Sequence, residues 1–381
     1  MSTTHPMGDG ETRRLSTVSR AAARGLAPVV AWAALGGVFL LLAAYVVISW
    51  IFSPDFRPVP VGADPLPLKV LIGVRATEAV AVIISAIMVW KLIVRPLMKT
   101  RDVSLDGLLA LNFLCLWWAD PIDNYVNFSF MYNGYALNMG SWANFIPGFG
   151  YPNHQNFPEP LLMMGGFYLT FSLLNAMAGC AILRFLQNRR PELGLVWRIL
   201  AVFLVMSMID LIVEVAILRV GMSAYPGVVR SLSLFPGQVY QWPLYEAPII
   251  GFLNTGWVCL RYFKDDKGRL FVERGIDRLN LPRPRQRALT FLAIAGFAQP
   301  FFLIGYFLPY NLFAIHSDTF PAYPSYMRTE ICGEGTDYAC PSEDWVPIPQ
   351  RGGRLFIRPD DPRLPAEVRA AQGIHGVDPY Q

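Results

Sequence analysis

Residues 28–52 read PVVAWAALGGVFLLLAAYVVISWIF, twenty-five positions without a charged side chain. Backbone amides and carbonyls have no water to bind in hydrocarbon, so a stretch of this kind crosses a bilayer only as a helix. A helix needs about 20 residues to traverse a core about 30 Å thick. Six further segments meet that length and polarity, giving spans at about 28–52, 69–94, 104–119, 161–186, 197–219, 244–263 and 289–309. Composition agrees. Hydrophobic residues make up 54% of the 381 and charged residues 16%, with a mean hydropathy of +0.36, whereas a soluble domain carries about a quarter charged residues. The expected fold is all-α: a polytopic transmembrane bundle of about seven spans, a basic tail at 1–27, the membrane region at 28–309, and a non-membrane tail at 310–381. Residues 350–381, rich in Pro, Arg, Asp and Gly, are expected to be poorly structured.

Charge sets the expected orientation. Lys91, Arg95, Lys99 and Arg101 follow the second span; Arg184, Arg189, Arg190 and Arg198 flank 187–196; nine Lys/Arg lie in 261–288. By contrast, 119–160 holds no Lys or Arg. The N-terminus, with Arg13, Arg14, Arg20 and Arg24, is therefore expected in the cytosol of a bacterium, ahead of an uncleaved first helix, and the protein in the cytoplasmic membrane. Seven spans put the tail outside. Its Arg351, Arg354 and Arg358 do not favour that side, so six or eight spans stay open. Cys115, Cys180 and Cys259 fall within spans as packing residues. Cys332 and Cys340 lie in the polar tail, where an oxidising side would let them form a disulfide. The net charge of +4, dispersed among loops, argues against a nucleic-acid partner.

Ionisable groups inside spans are costly and mark function by default. With this orientation Arg75, Glu78, Asp120, Asp123, Asp210, Glu214 and Glu246 all fall in the outer half of the membrane, on different helices. Asp210 and Glu214, in MIDLIVEVAIL, share a helix face four residues apart. Two acids so close in a low dielectric do not both ionise cheaply, which makes them a candidate general acid/base pair; a salt bridge to a neighbouring helix through Arg75 is the structural alternative. Arg75 and Glu78 read equally as an ion pair. In LWWADPIDNY, Pro121 disfavours helix at Asp120 and so ends the span near the two acids. That stretch is either a membrane-exit turn or one wall of a site. Candidate substrate contacts are Arg75, Glu78, Trp117, Asn124, Tyr125, Asn127, Tyr132, Asn138, Trp142, Asn144, Trp242 and Tyr245. Aromatics mixed with amides and acids suit a large, partly apolar ligand. The 119–160 connection is long enough to form a lid.

The four histidines are scattered and form no ligand pair, so no metal is expected. Asp120-x-x-Asp123 lacks the second acidic motif and basic partners of a magnesium-diphosphate site. No Gly-rich phosphate loop, G-x-S-x-G elbow or haem pair occurs, and no cofactor is expected.

WWADPIDNY, FMYNGYALNMGSWANFIPGF, NFPEP and FPGQVYQWPLYEA together resemble the AveC-like spirocyclases, membrane proteins associated with spiroketal formation in avermectin-type macrolides. The resemblance covers about 30–320, is densest at 117–160 and 235–250, and leaves out the tail. It implies a secondary-metabolite enzyme that closes a dihydroxyketone of a polyketide or lipid-like substrate to a spiroketal with loss of water, with dehydration as a possible second activity. Such chemistry asks for an acid and a nearby anion, and neither metal nor redox cofactor. On chemical grounds Asp210 and Glu214 supply the proton, Asp120 or Asp123 orients hydroxyls or steadies the cation, and Glu246 is the alternative acid. The expected partners are a hydrophobic small molecule and membrane lipid. A proton-coupled transporter, a terpene-type membrane cyclase and a non-catalytic docking partner are the rival readings.

Overall fold

The computed structural model describes residues 27–150 and 153–341. The expectations placed on 1–26, on Arg351, Arg354 and Arg358 and on 350–381 lie outside those residues.

The structure is a helical bundle. Helix α1 is Pro28–Ile51, α2 Leu68–Val89, α3 Leu105–Leu114, α4 Leu161–Arg189, α5 Leu195–Arg219, α6 Glu246–Tyr262, α7 Arg283–Phe302 and α8 the single turn Ser325–Arg328. Counting their continuations, six segments are long and apolar enough to cross a membrane: Pro28–Ile51, Leu68–Thr100, Leu105–Asn124, Leu161–Arg189, Leu195–Arg219 and Arg283–Ala314. The remaining expected span, 244–263, is the 17-residue α6. Val38, Leu41, Ile72, Ile83, Leu204 and Ile212 point outward and are exposed. Such faces are costly in water and ordinary against lipid.

Small residues set how closely helices approach. A side chain on Gly36 would strike the Leu292 carbonyl, and one on Gly296 the Trp32 carbonyl. The backbones of α1 and α7 therefore touch, the packing by which apolar helices associate without a hydrophobic drive between them.

Prolines reshape two long helices. Pro96 cannot accept the regular geometry against Leu92 four residues back, and α2 passes through a π turn at Trp90–Val94. The Leu92 carbonyl receives the Ser104 hydroxyl instead, at 3.4 Å. Pro309 plays the same part in the last span: α7 runs through Pro300 to Phe302, a π turn follows at Leu303–Phe307, and the helix resumes over Leu308–Ala314 with Pro309 in its first turn.

The third span departs from the expected ending. Ser104 caps α3 by accepting from the Gly107 amide at 3.1 Å. The α-helix stops at Leu114, but the chain does not leave the bundle. It tightens into a 3-10 helix over Trp117–Asn124 with Pro121 inside, and Asp120 and Asp123 are buried at 4% and 5% exposure. Pro121 breaks the α-helical bonding, as expected, yet the result is an inward turn and not a membrane exit. Trp118 fixes it, donating to Gln299 Oε1 at 2.8 Å, while Gln299 donates to the Cys115 carbonyl at 2.9 Å.

At this end of the bundle the described residues of 125–150 and 153–160, with 221–245 and 315–341, form a cap. Strand β1 (Met131–Tyr132) pairs antiparallel with β2 (Ser223–Ala224), and β3 (Ser233–Leu234) with β4 (Trp242–Pro243). Residues 315–341 are built into it. Thr319 bridges Val228, the Gly134 amide donates to the Tyr326 carbonyl at 2.8 Å, and Cys332 and Cys340 are disulfide-bonded. A second apolar cluster, with Phe128, Met131, Phe157, Tyr326, Met327 and Ile331, lies beneath. The opposite end carries the basic connections, pinned by Arg261 on Asp106 (2.8 Å) and Arg287 on Asp102 (3.0 Å).

Candidate active site

Beneath the cap, between the 3-10 turn and helices α4–α7, lies an internal cleft. Asp120 and Asp123 reach it from the turn, Asp210 and Glu214 from one face of α5, Tyr168 from α4, Asn254 from α6, and Tyr306 from the π turn of α7. Tyr132 on β1 and Tyr225 just after β2 enter from the cap. Apart from Ser172, the rest of the wall is apolar, with Leu116, Phe130, Met164, Leu253 and Phe302 among it. Among the described residues, no lysine, arginine or histidine lines the cleft. Its free space is about 70 Å³, room for a few water molecules.

The half-buried residues of the wall are Phe167, Phe171, Glu214 and Ile250, on α4, α5 and α6. The cleft therefore opens sideways between helices, beside Phe167 and Phe171, whose rings stack at 4.6 Å.

Phenols hold Asp120, Glu214 and Glu246. Tyr168 donates to Asp120 Oδ1 at 2.7 Å, and Tyr132 to Asp120 Oδ2 and Oδ1 at 3.1 and 3.3 Å. The Tyr225 hydroxyl donates to Glu214 Oε2. Tyr306 donates to Glu246 Oε1 at 2.8 Å, which brings Glu246, the first residue of α6, to the edge of the cluster. Several buried polar atoms have no partner within the protein: Asp123 Oδ1, Asp210 Oδ2, Glu246 Oε2 and Asn254 Nδ2. Buried polar atoms are almost always bonded, so three orphans on residues of the cleft wall, with Glu246 beside them, leave it ready for a ligand or water.

Sequence reasoning missed Glu159. It lies on the cap just before α4, where Pro158 and Pro160 hold it against Asp120 in a small adjoining hollow shared with Phe130 and Tyr132. Ser141 donates to Glu159 Oε1 at 3.1 Å, and Glu159 Oε2 is unpartnered. Burial first, and then the neighbouring Asp120, push its carboxyl well above the usual range. Its signal was the charged residue of NFPEP, read only as part of a motif. Tyr168, Tyr225, Tyr306 and Asn254 were also missed. Nothing separates them in sequence from the other aromatics and amides of an apolar chain.

Of the expected site residues, Asp120, Asp123, Tyr132, Asp210 and Glu214 come together, with Glu246 adjoining. The others do different work. Arg75 pairs with Glu78 at 2.6 Å, and Glu78 Oε1 accepts the Leu137 amide at 2.7 Å, so this pair anchors the cap and does not line the cleft. Asn124 accepts from the amides of Ser129 and Phe130 at 2.9 and 3.0 Å. Asn127 donates to the Ala314 carbonyl at 3.1 Å, and Asn138 accepts the Val59 amide at 3.1 Å. Asn144 bonds Asp55 at the exposed edge. An irregular buried backbone must satisfy its own polar groups, and short amides do that. Trp142 is buried against Trp50 and Trp117 and donates to the Trp118 carbonyl at 2.6 Å, which staples the cap to the turn. Tyr125 donates to the Pro147 carbonyl at 3.3 Å. Tyr245 stacks on Phe313 at 4.4 Å, and Trp242 is buried within β4. Among the described residues, no three His, Cys, Asp or Glu side chains gather in a metal-holding arrangement.

A family model described as "Spirocyclase AveC-like" matches residues 100–326, which includes α3, the acidic turn, α4 to α7 and the cap as far as Tyr326. No curated protein and no solved structure matches the chain.

Proposed function

The chain belongs to the AveC-like spirocyclase family, and from that premise we propose that it is an acid/base cyclase that closes a dihydroxyketone to a spiroketal with release of one water. One observation carries the reading: carboxyl groups from the turn and from α5 converge on a largely apolar cleft, with unpartnered oxygens on Asp123 and Asp210 and, among the described residues, no cationic neighbour in the wall.

The chemistry runs in balanced steps. One substrate hydroxyl adds to the ketone carbon; its proton passes to a carboxylate, and the carbonyl oxygen takes one from a carboxylic acid. The hemiketal hydroxyl is then protonated and leaves as water, giving an oxocarbenium ion. The second hydroxyl attacks that carbon and loses its proton to a carboxylate, which restores the starting state. Asp210 and Glu214, one turn apart on α5, deliver and recover protons, with Glu246 as a further acid. Asp120 and Asp123 lie across the cleft and steady the cation through their charge. An apolar wall that excludes bulk water favours ring closure over reversal.

A cleft with about 70 Å³ of free space does not enclose a macrolide, since pockets for such ligands run to several hundred Å³. The substrate is therefore a polyketide or lipid-like molecule that stays in the bilayer and inserts its dihydroxyketone between α4 and α5. The cap, with its disulfide, faces the oxidising outer side of a bacterial cytoplasmic membrane, and the basic connections face the cytosol.

Asp210→Asn and Glu214→Gln test the assignment. Each is expected to abolish or strongly reduce conversion of the open dihydroxyketone to the spiroketal, read by mass spectrometry. Undiminished product from both variants overturns it.

A further inference from the structure

The opposite end of the bundle carries a larger and chemically different hollow, of about 500 Å³. The connection after α6 folds back over the N-terminus of α7, and Lys264, Lys267, Arg269, Arg283 and Arg287 line the space between them.

Most of the carboxylates nearby are engaged; Asp266, exposed on the turn beside Lys267, is the exception. Asp265 is taken up by its turn, accepting the amides of Lys267 and Arg269 at 2.9 Å each. Glu273 accepts from the Leu270 amide and the Thr290 hydroxyl, both at 2.8 Å. Asp277 serves two cations, Lys267 at 2.9 Å and Arg269. Asp102 likewise serves Arg283 at 2.8 Å and Arg287 at 3.0 Å. The side chains that line the space itself are five cations and one carboxylate, Glu273, so its wall is cationic although further carboxylates stand behind it, and Lys264 pairs with no carboxylate among the described residues. The first turn of α7 adds to this positive character. Pro282 offers no side-chain cap, so the turn's free amides point outward with the positive end of the helix dipole. The ion pairs orient the guanidinium groups without neutralising the space.

The hollow sits where α3 and α7 begin, at the basic ends of apolar helices long enough to cross a membrane. We propose that it binds a phosphate-bearing anion, either the headgroup of an anionic lipid or a free phosphate compound. Guanidinium and ammonium groups around a compact polar space suit the phosphate oxygens. This site is separate from the acid cleft and does not depend on the cyclase reading.

The test uses the full-length protein in nanodiscs. One arm measures enrichment of phosphatidylglycerol around the protein in mixed phosphatidylcholine–phosphatidylglycerol discs by native mass spectrometry. The other titrates inorganic pyrophosphate into pure phosphatidylcholine discs by calorimetry. The variant is Lys264→Ala/Arg283→Ala, both exposed, and the charge-matched control is Arg189→Ala/Arg190→Ala at the same end outside the hollow. The parent and the control are expected to bind alike, and the variant about tenfold more weakly or worse, with unfolding temperature unchanged. Enrichment of phosphatidylglycerol without pyrophosphate binding identifies a lipid headgroup; binding of both identifies the phosphate group itself. No binding in either arm, or equal loss in variant and control, overturns the proposal.

Discussion

Asp120→Asn is the sharpest perturbation of the acid cleft. Asp120 accepts a short bond from Tyr168 (2.7 Å) and a longer, divided one from Tyr132 (3.1 and 3.3 Å), in a site 4% exposed. Asparagine keeps one acceptor oxygen and puts an NH2 where the other stood, facing a hydroxyl that also needs to donate. A bond to a charged acceptor is worth about 1.5–3 kcal/mol and an ordinary one about 0.5–1.5 kcal/mol. Losing the stronger and weakening the other costs about 2–4 kcal/mol. If that energy is expressed in the transition state, the rate falls by about 30-fold to about 1,000-fold, at tenfold per 1.36 kcal/mol. The single variants order the contributions: Tyr168→Phe removes the short bond and costs more than Tyr132→Phe, which removes the long one. The assay pairs turnover of the dihydroxyketone, read by mass spectrometry, with thermal unfolding in nanodiscs followed by tryptophan fluorescence. An Asp120→Asn protein as stable and as active as the parent, or a Tyr132→Phe change costlier than Tyr168→Phe, refutes the reasoning.

Three further outcomes are expected. Glu159 keeps a proton when folded that the unfolded chain releases above its ordinary value of 4.5, so it lowers stability increasingly as pH rises beyond that value; Glu159→Gln removes this contribution, and unfolding temperatures from about pH 5 to about pH 8 should fall less steeply than in the parent. Gly296→Leu forces α1 away from α7 and is expected to cost about 2 kcal/mol or more, seen as a lowered unfolding temperature, while Gly37→Leu, which meets nothing nearby, leaves it unchanged. Trp142→Phe keeps most of the packing but loses the bond to the Trp118 carbonyl, costing about 1–3 kcal/mol and speeding proteolysis within the cap, a change that limited digestion detects.

The helices were legible because hydrocarbon thickness and backbone hydrogen bonding leave a chain few choices. Residue 28 begins α1 as the uncharged run predicts. The acids were legible for a related reason: a charge in an apolar run is rare enough to stand out, so Asp120, Asp123, Asp210, Glu214 and Glu246 were all found. The phenols that hold them were not, since tyrosine at 168 or 306 looks like any interfacial aromatic until folding brings it to a carboxyl. The amides misled in the opposite direction. Asn124, Asn127 and Asn138 pattern like ligand contacts, yet each spends its side chain on the cap's own backbone, a demand invisible until the loop's path is known. Trp142 failed for the same reason. The turn after α3 shows the limit of a local rule: Pro121 does end the α-helix, but only the packing of Trp118 on Gln299 decides that the chain then winds inward.

The cap is assembled from three stretches far apart in the chain, and its last contributor, 315–341, follows α1 to α7. During synthesis the earlier stretches must therefore wait. The Gly134 amide has no Tyr326 carbonyl to meet, and the Asn156 carbonyl no Thr329 hydroxyl, until α7 has been inserted. The newborn protein thus passes through a stage with its helices in place and its cleft unroofed, and the disulfide between Cys332 and Cys340 stiffens the piece that ends that stage.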